Sequence, residues 1–133
     1  MKNKIIQPKG WAAAKGYANG ILAPEGYLFV GGQIGWDATQ KFKSNDFIGQ
    51  MEQALNNILA VVTAAGGSAD DIVRLTWFVL DKKEYLERQS EVGKIYRAVL
   101  GRNFPAMTMV VVAELIEDEA LLEIEATALI PAN

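Results

Sequence analysis

The chain has 133 residues, a length suited to one domain over 1–133 that buries about two-thirds of its unfolded surface. Half of the residues are hydrophobic and 22% are charged, a composition that argues against disorder. With no histidine, no cysteine and a net charge of −3, the chain cannot form disulfides, thiolate nucleophiles, a Ser-His triad or a zinc hydrolase site.

The remaining exclusions follow from patterning. No Asp-rich calcium loop is present, so no metal site is expected. Basic residues are scattered, Lys82-Lys83 being the one adjacent pair and flanked by Asp81 and Glu84, so no nucleic-acid stripe is visible. No apolar stretch is long enough to span a bilayer, and no apolar run follows Met1-Lys2-Asn3-Lys4. The expected location is the cytoplasm.

In chain order, Ile5 and Ile6 suggest a short first strand before Pro8. Tyr17 to Leu22 reads as a second strand. It ends in Ala23-Pro24-Glu25-Gly26, where proline presets one backbone angle and glycine permits positive φ. Tyr27 to Val30 follows as a buried strand closing in Gly31-Gly32-Gln33, and the two strands around the turn predict a hairpin.

Trp36 to Asn45 is a loop. Ser44 or Asn45 is the expected cap of a helix with Asp46 in its first turn. Ile48, Met51, Leu55, Ile58 and Val62 recur at spacings of three and four, one helical face, which Gly66-Gly67 ends. Asp71 to Leu80 is a nearly continuous apolar strand, the kind covered on both faces. Glu84 to Leu100 reads as a second helix, weakened by Gly93 by about 1 kcal/mol and stopped at Gly101. Met107 to Leu115 and Leu121 to Ile130 are the last strands. In the latter, Leu122, Ile124, Ala126 and Ala128 alternate with Glu123, Glu125 and Thr127. The order ββ-α-β-α-ββ is an α+β pattern: a mixed sheet with two helices on one face. Trp77, Met109 and Val111 suggest that the opposite face is apolar, which predicts self-association.

Two segments carry a family likeness: Phe104-Pro105-Ala106-Met107-Thr108-Met109-Val110 and Leu122-Glu123-Ile124-Glu125-Ala126. With Gly16-Tyr17-Ala18-Asn19-Gly20, Val30-Gly31-Gly32-Gln33-Ile34, Gln53 to Ile58 and Asp71 to Val79, they make the whole chain resemble the RidA/YjgF family, also labelled endoribonuclease L-PSP. The resemblance implies a chorismate-mutase-like fold, a homotrimer with clefts between subunits, and hydrolysis of a reactive imine or enamine to a carbonyl compound and ammonia. It implies no metal or organic cofactor.

The likeness also assigns roles. Glu123 matches the family glutamate that holds or activates water, and a half-buried carboxylate with a raised pKa can shuttle protons. Alternatively, Glu123 and Glu125 are the solvated face of an edge strand. Tyr17 matches a tyrosine that packs on ligand, or is a half-buried strand residue. Met107 stands where most members carry an arginine that grips a carboxylate. A thioether offers dispersion and no donor, so an amino-acid-derived imine loses its anchor, about 1.5–3 kcal/mol per charge-assisted bond. Arg74, Arg97 and Arg102 are candidate replacements, and Met107 as plain core is the bland reading. Gly31 and Gly32 either offer N–H groups to an oxyanion or, the favoured reading, mark a bulge. Gly93 stands where many members have asparagine, and Met109 where a small residue or cysteine is frequent. The expected ligand is an imine, an enamine or another apolar metabolite in a less polar cleft. A non-catalytic binding protein is the alternative. A ribonuclease is disfavoured, because no histidine is available for RNA cleavage and the chain is acidic.

Overall fold

A computed structural model describes residues 2–132. Strands β1 (Lys4–Ile6), β2 (Gly20–Leu22) and β3 (Tyr27–Ile34) precede helix α1 (Phe47–Ala64). Strand β4 (Ile72–Val79), helices α2 (Lys82–Glu87) and α3 (Gln89–Leu100), and strands β5 (Ala106–Val111) and β6 (Leu122–Leu129) complete the chain. They form one mixed sheet in the order β1-β2-β3-β6-β4-β5. All neighbours are antiparallel except β4 and β5, which α2 and α3 connect as a crossover.

The predicted hairpin is present. Gly26 N–H closes the turn on Ala23 C=O (2.9 Å) with φ at 104°, a backbone angle that glycine accepts without strain. Helix α1 buries Met51, Leu55, Ile58, Val61 and Val62 against the sheet. Its end is a Schellman arrangement: Gly67 N–H donates to Val62 C=O and Gly66 N–H to Thr63 C=O, with Gly66 at φ 93°. The core joins this face to Leu28, Val30, Leu75, Ile124 and Ala126 of the sheet and to Val92, Tyr96 and Leu100 of α3.

Several expectations change. Tyr17 lies in a bend rather than a strand, because Gly16 takes φ 81° and the ladder begins at Gly20. Asp46 is itself the cap residue of α1 and makes no side-chain cap bond, its carboxylate being drawn to Arg88 instead. The predicted second helix is two helices broken at Arg88, whose guanidinium pairs with Asp46, Glu84 and Glu91 at the break. Strand β5 ends at Val111, short of Leu115.

The most consequential correction concerns the sheet faces. The register pairs Leu75 with Met107, Trp77 with Met109 and Val79 with Val111, so Trp77, Met109 and Val111 belong to the helix-covered side. The uncovered side carries Tyr27, Phe29, Thr76, Phe78 and Val110 instead, with Phe29 52% exposed. An apolar run such as β4 has no alternation to reveal which residues face the helices. Among the described residues no helix is long and apolar enough to cross a membrane.

Asn103 pins the loop between α3 and β5. Its amide donates to Ala69 C=O (2.8 Å) and Ile72 C=O (3.0 Å), and its own carbonyl accepts the Tyr96 hydroxyl (2.6 Å). Asn103→Ala strands two carbonyls and is expected to lower stability by about 1–3 kcal/mol. A urea titration checks this: the midpoint falls while the slope stays constant.

Candidate functional site

The six residues singled out from the sequence divide into two groups of three. Tyr17, Gly31 and Glu123 line a hollow of about 410 Å³ on the uncovered face of the sheet. Gly93, Met107 and Met109 line a slot of about 150 Å³ beneath α3, on the other face. One chain therefore does not bring Met107 and Glu123 together.

The first hollow is built by a bulge. Pairing of β3 with β6 shifts register between Val30 and Gln33, which leaves Gly31-Gly32 out of the regular ladder. Gly31 N–H donates to Asn19 C=O (2.8 Å), so that N–H is engaged by the protein and is not free for an oxyanion. The buried amides of Asn19 and Gln33 hold the same place: Gln33 Nε2 donates to Asn19 Oδ1 (3.1 Å), and Asn19 Nδ2 to Gln7 Oε1 (2.9 Å). This network aligns Tyr17–Asn19 along the bulge. Tyr17 is half-exposed, and its hydroxyl accepts a bond from Gln40 Nε2 (3.3 Å).

Glu123 sits on β6 between Ile34 of β3 and Phe78 of β4. Its side chain crosses the backbone of Gly32: a Cβ there would lie 2.6 Å from Glu123 Cδ and 2.9 Å from Cγ. No local pattern reports this dependence, because it joins residues far apart in the chain. The carboxylate forms no ion pair or hydrogen bond among the described residues. Burial pushes its pKa above the ordinary glutamate range, and the charge of Glu125 pushes it further the same way. A partly desolvated, unpaired carboxylate facing a hollow is suited to accept and return a proton.

The slot under α3 is different in kind. Trp77, Met107 and Met109 form its floor, Gly93 and Val92 its helical wall, and the stacked rings of Tyr96 and Phe104 (centroids 5.5 Å apart) one side. Among the described residues, no charged one lines it. Arg74 borders a separate groove on the uncovered face, and neither Arg97 nor Arg102 lines the slot or the hollow. Trp77 was expected on the bare face and was not counted as a site residue. Its role here depends on the β4–β5 register, which the sequence does not display.

A family model described as endoribonuclease L-PSP matches residues 8–130. The 2-iminobutanoate/2-iminopropanoate deaminase of Escherichia coli strain K12 is 38% identical over 131 residues, covering 96% of this chain and 98% of that one. The crystal structure of YyfA from Yersinia pestis, a protein of unknown function in the Rid family, superposes with a TM-score of 0.83 at 32% identity, covering 97% of this chain and 100% of that one. E. coli TdcF, solved with bound serine, superposes with a TM-score of 0.79 at 31% identity, covering 95% and 98%. With the model spanning nearly its whole length and relatives of this identity covering it end to end, the chain belongs to the RidA/YjgF family, whose sequence model bears the endoribonuclease L-PSP description.

Proposed function

We propose that this protein is a cytoplasmic hydrolytic deaminase of a reactive imine or enamine, working without metal or organic cofactor in a cleft shared between copies of a homotrimer. The observation that carries this reading is the unpaired, half-buried Glu123 carboxylate with its raised pKa, facing a hollow beside Tyr17. The deaminase name borne by the E. coli relative supports the reaction class.

Glu123 takes a proton from water as the water oxygen forms a bond to the carbon of a protonated C=N group, giving a carbinolamine. The carboxyl returns that proton to nitrogen, which leaves as ammonia as the C=O bond forms, and the remaining hydroxyl proton passes to the freed Glu123 carboxylate and from it to the ammonia, giving the carbonyl compound and ammonium. The iminium carbon is already electrophilic, so no nucleophilic side chain is required.

Support for a shared cleft comes from the two faces of the sheet. A substrate that touches both Glu123 and the Met107 slot needs two chains, and the exposed Tyr27, Phe29 and Val110 favour association. The reaction test is ammonia release from freshly generated imines, of 2-amino acids and of uncharged apolar analogues. No acceleration over buffer for any of them ends the enzymatic reading and leaves a binding protein.

Complementation tests the sharing. Glu123→Gln disables one half, and Gly93→Trp is chosen to obstruct the other, because Gly93 lines the slot and the three atoms nearest a Cβ there all belong to the mobile end of Arg97. Each variant alone is expected to be nearly inactive. Unfolding and refolding them together should recover a substantial part of the activity, because some interfaces then hold two intact halves. No recovery in mixed oligomers would mean that Glu123 and the Met107 slot do not act in one shared site.

A further inference from the structure

We propose that the Glu123 hollow is a cation site, and that its substrate is an imine bound as the protonated iminium and derived from an amine that carries no carboxylate. This rests on the deaminase reading and deepens it by naming the substrate class.

The carboxylate is placed to meet a ligand. Glu123 Oε2 stands in the space that a Cβ on Gly32 would take, and Gly32 and Glu123 both line the hollow. Neither Glu123 oxygen has a hydrogen-bond partner among the described residues. The one buried side-chain nitrogen or oxygen left without a partner there is Trp77 Nε1, so both Glu123 oxygens keep accessible surface.

Charge decides what those oxygens attract. Among the described residues that line the hollow there is no lysine or arginine, and the charged ones are Glu117 and Glu123. Glu125 adds to the negative potential at Glu123. Nearby strands offer no relief, since the β3 and β4 residues paired with Glu123 are Ile34 and Phe78. If the Met107 slot of a second copy completes the cleft, its described lining brings no positive charge either. Arg88 is engaged by Asp46, Glu84 and Glu91, and Lys43 by Asp37. A half-buried carboxylate without a counter-charge is held at a desolvation cost that a bound cation offsets and a second carboxylate increases.

Hydrogen bonding points the same way. Two groups that could hold an anion are spent within the chain: Gly31 N–H on Asn19 C=O, and Gln33 Nε2 on Asn19 Oδ1 and Gly31 C=O (3.2 Å). An iminium N–H needs acceptors, and Glu123 presents two. Binding there also sets the electrophilic carbon beside the group that activates water.

The test uses three probes of one shape: benzamidine, benzamide and benzoate. Each has a ring and a planar head, and the head of benzamidine is a stable protonated C=N group. Binding is measured by calorimetry at mildly alkaline pH, where Glu123 is ionised. Benzamidine is expected to bind roughly 10- to 100-fold more tightly than benzamide, the worth of one charge-assisted hydrogen bond, and benzoate more weakly than either. Glu123→Gln should bring benzamidine down to the level of benzamide. Glu25→Gln, which removes a carboxylate from the β2–β3 turn outside the hollow, should leave benzamidine unchanged and controls for net charge.

Four results overturn the proposal: benzoate binding more tightly than benzamidine; equal binding of benzamidine and benzamide; a benzamidine preference that survives Glu123→Gln; or a loss in Glu25→Gln as large as in Glu123→Gln. Ammonia release is read separately, from the imine of benzylamine and the imine of phenylalanine. Selective benzamidine binding without turnover of either leaves the cation site standing and removes the deaminase. Preferred turnover of the phenylalanine imine without benzamidine selectivity does the reverse.

Discussion

Glu123→Gln is expected to lower the rate of ammonia release by roughly 10²- to 10⁴-fold, the range for loss of a positioned proton-transfer group. An amide matches the carboxylate in shape and keeps the contact over Gly32, but it cannot take a proton from water. The same change is expected to stabilise the fold at neutral pH. The carboxylate has no partner among the described residues and stands beside Glu125, so removing its charge relieves desolvation and repulsion together. Loss of rate with gain of stability is the signature of a group placed for reaction rather than for folding. An unchanged rate in the glutamine variant would remove Glu123 from the chemistry.

The folded-state pKa of Glu123 is raised above its unfolded value. Its contribution therefore favours the fold below the ordinary glutamate pKa of about 4.3 and is lost as pH rises through the folded-state value. Glu123→Gln should accordingly raise the melting temperature at pH 7 and leave it unchanged below about pH 4. Activity runs the other way, since only the ionised form accepts a proton, and kcat/KM should fall as pH drops through the raised pKa. Glu125→Gln removes one of the two causes of the shift, so it should move that acid limb to lower pH. Thermal melts at the two pH values and a pH–rate profile check both.

The parts of the fold that were legible in the sequence are those where one face is wet and one is dry. The spacing of Met51, Leu55, Ile58 and Val62 reports α1, and the alternation of Leu122 to Thr127 reports β6 residue by residue. Local turn chemistry at Gly26 and Gly66 was legible for the same reason, being confined to a few neighbours. Where an element is apolar on both sides the signal fails. The run from Ile72 to Val79 gives no cue that Trp77 faces the helices and Phe78 the open side. The break at Arg88 was invisible because no glycine or proline marks it. A charge network with Asp46, Glu84 and Glu91 holds it, and Asp46 lies 42 residues away. The site suffered most from this. The family likeness picked out the residues, but their division between two faces depends on the β3–β6–β4–β5 register, which is a property of the assembled sheet.

Gly32→Ala is expected to cut activity by roughly 10²-fold while leaving the melting temperature nearly unchanged. Gly32 does not have a positive φ, so alanine meets no backbone strain there. The obstacle is lateral: the added methyl would occupy the space through which Glu123 passes, 2.6 Å from its Cδ. Backbone on either side is fixed by the bulge and by the Asn19–Gln33 amides, so the flexible carboxylate is the group that yields. A displacement near 1 Å is enough to cost about 10²-fold in rate when the reacting geometry is tight. The hollow stays open and Tyr17 is untouched, so KM should change less than kcat. The double variant Gly32→Ala with Glu123→Gln separates this from a general disturbance. If the methyl acts by moving the carboxylate, the double variant is no slower than Glu123→Gln alone; additive losses would mean that Gly32 contributes through its own backbone, and Glu123 placement would not be what the missing side chain secures.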